Sequence, residues 1–118
     1  MHDIQNRDDI RLLIVTFYSR LLKMEGMKEV FEGLDFDRHI PNIVHFWSFV
    51  LLDEEGYKTN VFEKHLHLPI QPAQFDTWRD VFNATVRELF SGPVAELATQ
   101  RATSLAYTFK SKWEMRRS

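Results

Sequence analysis

Four stretches of this chain repeat apolar residues every three or four positions, and none alternates them every second position. That spacing lines one face of a helix and gives a strand no consistent side, so an all-α fold is expected. Ile10, Leu13, Ile14, Phe17, Tyr18 and Leu21 mark the first helix. Ile40, Ile43, Val44, Trp47, Val50 and Leu51 mark the second, with Phe46 widening its buried arc. Phe75, Trp78, Val81, Phe82, Val86 and Leu89 mark the third, and Val94, Leu97, Ala98, Ala102, Leu105, Phe109 and Trp113 the last.

The residues between these stretches punctuate them. Asn6, with Asp9 three positions on, is a capping arrangement for the first helix, and Gly26 is read as its end. A short helical turn should carry Met27, Val30 and Phe31. Asp35 or Asp37 can cap the second helix; Asp37 suits better, because Pro41 then falls near the first turn, where a missing N–H costs little. The polar stretch DEEGYKTN from Asp53 reads as a loop and VFEKHL as two helical turns at most, after which Pro69 and Pro72 stop the helix. His65 and His67 therefore fall on a short, constrained element. The third helix is expected from about Gln74 to Ser91, and Gly92-Pro93 both ends it and starts the last.

Composition narrows the function. At 118 residues the chain reads as a single domain, 1–118, able to bury a core without disulfides. Its net charge of −2, with both signs interspersed, gives no reason to expect a nucleic-acid partner. No apolar run approaches the ~20 residues of a membrane span, and MHDIQNRDDI lacks the apolar stretch of a signal peptide. No membrane partner is expected, and the reading is a cytoplasmic protein. With no cysteine, thiolate zinc, iron–sulfur clusters and thiolate-ligated haem are all out of reach. No serine–histidine–acid set stands at recognisable spacing, and four glycines make no phosphate loop. The carboxylates of DIQNRDD and LLDEEG read as solvated groups on caps and a loop.

Aromatic residues make up 14% of the chain, enough to enclose something flat and apolar. An all-α domain can hold a porphyrin in an apolar slot between helices, with one imidazole to bind its iron. His39 and Ile43 are four apart on one helix face that Phe46 and Trp47 continue, so His39 should look inward, while His45 points elsewhere. His65 and His67 diverge by about 200° in a helix, so only one reaches an enclosed iron, and periodicity does not say which. Zinc held by His39, His45, His65 and His67 has nothing beyond the count of histidines to support it. Tyr18 and Trp78 each bring one hydrogen-bond donor to an inward face.

In order, FYSRLLK followed by VF, LDFDRHIPNIVHFWSFVLL, GYKTNVFEKHLHLPI, QFDTWRDVFNATVRELFSGPVAE and QRATSLAYTFKSK resemble the group III truncated haemoglobins of bacteria along most of the chain. The resemblance implies a truncated-globin fold: a helical sandwich of four main helices around a haem, with a short proximal helix. It assigns Tyr18 as the distal tyrosine, Phe31 as the phenylalanine packed on the haem, and His39 as the histidine near the start of the distal helix. Phe46-Trp47 match that helix's aromatic pair, and Trp78 matches the tryptophan overhanging the pocket. The histidine of the Lys-His-Leu-x-Leu-Pro pattern binds iron in the family, which selects His65 over His67. The stretch LLKMEGMKEVF departs from the family's turn, which contains Asp and ends in Gly-Pro.

The same resemblance implies a haem b ligated by His65, with oxygen or nitric oxide on the opposite face beneath Tyr18, Trp78 and His39. Ile43, Phe46 and Phe31 would keep water out. Tyr57, Lys64 and Arg79 are candidates for the propionates, and His67 is read as turned to solvent. Ligand binding is the leading function. The alternative is redox turnover on the same site, as a nitric oxide dioxygenase fed by a reductase or as a modest peroxidase, since Glu63 is the one carboxylate beside His65 in the sequence.

Overall fold

A computed structural model describes residues 1–53 and 71–117, and every regular element among them is helical. In chain order these are α1 (Arg7–Leu21), α2 (Met27–Val30), α3 (Phe36–Leu52), α4 (Pro72–Leu89) and α5 (Pro93–Arg117). The most extensive packing is α4 on α5, and α1 lies against both α3 and α4. The shared core is built from the periodic positions: Ile10, Leu13, Ile14 and Phe17 on α1, Val44 and Trp47 on α3, Phe82 and Val86 on α4, and Ala98, Ala102 and Phe109 on α5. Small alanines along the buried side of α5 let α4 come close. The larger rings from α1, α3 and α4 then fill the middle.

The helix ends explain where the sequence expectations shift. At the start of α1 the side chain of Asn6 accepts from the Asp9 amide at 2.9 Å, and the Asp9 carboxylate accepts from the Gln5 amide at 2.9 Å. Gly26 does not end α1, which stops at Leu21. In a left-handed conformation, φ 85°, Gly26 caps the start of α2 instead.

The cap of α3 is Asp35 rather than Asp37. Its side chain accepts from the Asp37 amide at 3.1 Å, and its carbonyl from Arg38 and His39 at 3.2 and 2.9 Å. Pro41 consequently lies inside the helix, on its exposed side. Helix α4 begins at Pro72, two residues before the expected Gln74, and ends at Leu89 rather than Ser91. Pro72 is a starter here and not a breaker, since a first-turn proline has no N–H to leave unpaired, and the Gln74 side chain accepts from the Gln71 amide at 2.7 Å.

Asp3 departs furthest from expectation. Far from being solvated, its carboxylate crosses to the last helix and accepts from the amides of Val94 at 2.9 Å and Ala95 at 2.8 Å, as well as from Ile4 at 2.8 Å. The His2 carbonyl accepts from Ser91, and the His2 ring meets Phe90 edge-on at 5.6 Å. Gly92 is required for this clasp. Its φ is 141°, and a Cβ there would come within 2.5 Å of the Asp3 side chain.

Burial works to raise the Asp3 pKa, but the amides of Val94, Ala95 and Ile4, with His2 nearby, outweigh it and hold the carboxyl below the ordinary aspartate value. A depressed carboxylate stabilises the fold above its unfolded pKa and loses that contribution as pH falls through the folded value. Asp3→Ala should cost about 1–2 kcal/mol in urea unfolding at neutral pH. The gap to wild type should hold down to about pH 4 and close below it.

Candidate functional site

Tyr18 and His39 meet at the contact between α1 and α3. The Tyr18 Oη lies 2.7 Å from Nε2 of His39, and the tyrosine is 4% exposed while the histidine is half-buried. The α1 periodicity sends Tyr18 inward beside Phe17, and the Asp35 cap places His39 one turn into α3 on the facing side. Three further rings hold the phenol edge-on or tilted: Phe17 at 4.9 Å, Phe36 at 5.4 Å and Phe31, which follows α2, at 5.8 Å. The phenol is thus enclosed by aromatic rings, with the half-buried imidazole as its polar neighbour.

Trp78 comes to the same place from α4. It meets Phe17 edge-on at 6.0 Å and stacks on Phe82 at 5.7 Å, with the planes 17° apart. Phe82 stacks in turn on Trp47 of α3 at 4.7 Å and 21°, so one phenyl ring lies between two indoles. Tyr18, Ile43, Phe46, Trp47 and Trp78 all border a small cavity of about 20 Å³, which Leu105 and Phe109 of α5 close from below. That is room for roughly one water-sized molecule.

Six of the residues singled out in the sequence, Tyr18, Ile43, Phe46, Trp47, Trp78 and, through Tyr18, His39, are therefore brought together around one cavity, and Phe31 packs on the back of the phenol. His65, His67, Tyr57, Lys64 and Glu63 lie outside the described residues. Arg79 is engaged on its own helix, 3.3 Å from Asp76 and 2.9 Å from Asp80, and Lys110 of α5 joins Asp76 at 3.1 Å. Among the described residues no group of three or more His, Cys, Asp or Glu side chains is placed to hold a bare metal ion.

Two residues went unmarked as site residues in the sequence although their spacing signalled them. Phe82 is four beyond Trp78, one turn along the same inward face, and Phe36 is three before His39. Both shape the enclosure rather than its polar chemistry.

Burial pushes the Tyr18 phenol well above the ordinary tyrosine pKa, because no water reaches the anion. The group stays a neutral hydroxyl, able to donate, through the whole physiological range. In an alkaline absorbance titration, the difference between wild type and Tyr18→Phe should show one tyrosine ionising only beyond the normal tyrosine range; ionisation within that range would contradict the enclosed geometry.

No family model matches the chain. A group 3 truncated hemoglobin of Campylobacter jejuni is 26% identical over 113 residues, which is 90% of this chain and 89% of that protein. The crystal structure of a group III truncated hemoglobin from Campylobacter jejuni aligns with a TM-score of 0.83 at 25% identity, over 95% of this chain and 94% of the other. Likeness in sequence and in fold thus runs nearly end to end, and the chain has the truncated-globin fold of the group III protein it resembles.

Proposed function

We propose that this chain is a haem-based binder of a small diatomic ligand, with His65 as the iron ligand and Tyr18, Trp78 and His39 facing the ligand from the other side. The observation that carries the reading is the Tyr18–His39 hydrogen bond, set in an aromatic enclosure that Trp78 shares. The donor set fits the group. Ile43, Phe46, Trp47 and Trp78 give the cavity an apolar, aromatic lining beside the Tyr18 side chain, the kind of surrounding a porphyrin needs. A chain without cysteine forms no thioether link, which favours haem b, held without covalent attachment.

Haem iron supplies a site where oxygen or nitric oxide binds reversibly and gains partial negative charge. The protein's share is to hold that charge and exclude water. Tyr18, kept neutral by burial, donates its hydroxyl proton, and the Trp78 indole N–H is a second donor beside the same cavity. A phenol has one proton, so Tyr18 gives it either to His39 or to the ligand. When it turns to the ligand, His39 reverses its role and donates Nε2–H to the phenol oxygen, as one neutral tautomer and the imidazolium both allow. Ile43 and Phe46 form the apolar wall. Tyr57 and Lys64 are assigned to the propionate edge. Nitric oxide dioxygenation, with electrons from a reductase, would use the same donors to polarise an O–O bond.

Loss of the iron ligand is the direct test. A strong Soret band should form on adding haemin, should vanish in His65→Ala and should persist in His67→Ala; the opposite pattern would overturn the assignment. A hydrogen bond to a charged group contributes roughly 1.5–3 kcal/mol, so Tyr18→Phe or Trp78→Phe should speed oxygen release by severalfold to about a hundredfold in stopped-flow displacement. Unchanged release in both variants would remove the donor role.

A further inference from the structure

The Tyr18 phenol is buried, and an imidazole nitrogen stands within hydrogen-bond reach of its hydroxyl. Its Oη is 2.7 Å from Nε2 of His39, and aromatic rings cover its other sides. A phenol that gives up an electron becomes a strong acid, so oxidation in such a place needs an acceptor for the proton within hydrogen-bond reach, and His39 is that acceptor. Because His39 is half-buried, the imidazolium formed there keeps contact with water. Tyr18 cannot release its proton directly to solvent.

Resting on the haem reading above, we infer that the Tyr18–His39 pair is an internal one-electron donor for reduction of hydrogen peroxide at the same site. A ferric haem held here would supply the iron for cleavage of the peroxide O–O bond, with one oxygen released as water carrying both peroxide protons and the other retained by the haem. Of the two electrons required, the haem would contribute one and the Tyr18 ring the other. The phenolic proton passes to Nε2 of His39, leaving a neutral phenoxyl radical and an imidazolium. Charge and atoms balance without an external reductant.

The enclosure that keeps water from the phenol also keeps the radical from outside reductants. The nearby stack of Trp78, Phe82 and Trp47 is the competing place for the oxidising equivalent, reached through Phe17. The pair is favoured over the indoles because it has its proton acceptor in place.

The experiment is rapid-freeze EPR on haem-loaded ferric protein mixed with a single equivalent of hydrogen peroxide, with the Soret band recorded for every variant. A tyrosyl signal is expected in wild type, lost in Tyr18→Phe and kept in Tyr107→Phe, whose ring is 75% exposed. In His39→Leu the signal should rise at least about tenfold more slowly. The high-field spectrum of wild type should carry the g-shift of a phenoxyl hydrogen-bonded to an imidazolium, absent in His39→Leu, which a merely structural histidine would not produce. A tyrosyl signal that survives Tyr18→Phe overturns the assignment. So does the absence of any radical in loaded wild type, or an indole signal there that disappears in Trp78→Phe. A chain that takes up no haemin overturns the parent reading, and this one with it, and the missing Soret band tells the two failures apart.

Discussion

A hydroxyl taken out of water and left unpaired costs about 1–3 kcal/mol, so the Tyr18 phenol can be buried only where a partner is fixed in place. That partner is the His39 imidazole, and much of the surrounding geometry serves to bring the two together. The Asp35 cap sets where α3 begins and so how far along it His39 falls. Gly26 turns the chain into α2, and Phe31 just beyond that turn covers one side of the phenol, as Phe36 covers another. The polar contact between Tyr18 of α1 and His39 of α3 thus depends on two helix starts, one of them a glycine turn, and neither touches the cavity.

Helix identity was legible because all four long segments carry apolar residues at three- and four-residue spacing. The ends were harder, and for a consistent reason. Proline carries two opposite meanings, and neighbours too far away to be seen in a short window choose between them. Pro72 reads as a stop after Pro69 yet serves as the first residue of α4, while Pro41 reads as a first-turn residue yet lies well inside α3. Asp3 is the extreme case. Its partners are the amides of Val94 and Ala95, at the other end of the sequence, and no local pattern announces such a contact.

The cavity lining was legible to the extent that inward periodicity reports it. Tyr18, Ile43, Phe46, Trp47 and Trp78 each sit on a buried stripe, and the fold converges those stripes on one place. Periodicity says which side of a helix a residue occupies but not which ring it meets. The Trp47–Phe82–Trp78 stack depends on the relative rotation of α3 and α4, and the direction of the Tyr18 hydroxyl on the exact placement of His39. For His65 the sequence argument came from a pattern shared with a family, since spacing alone left it equivalent to His67.

The clasp formed by His2 and Asp3 joins the first residues of the chain to the entrance of its longest helix. Helix α5 in turn supplies Leu105 and Phe109 to the floor beneath the aromatic cluster. Loosening the clasp would therefore act on a mechanical link that runs to the heart of the molecule. Handles for immobilisation or labelling belong at the exposed solvent face of α5, near Tyr107.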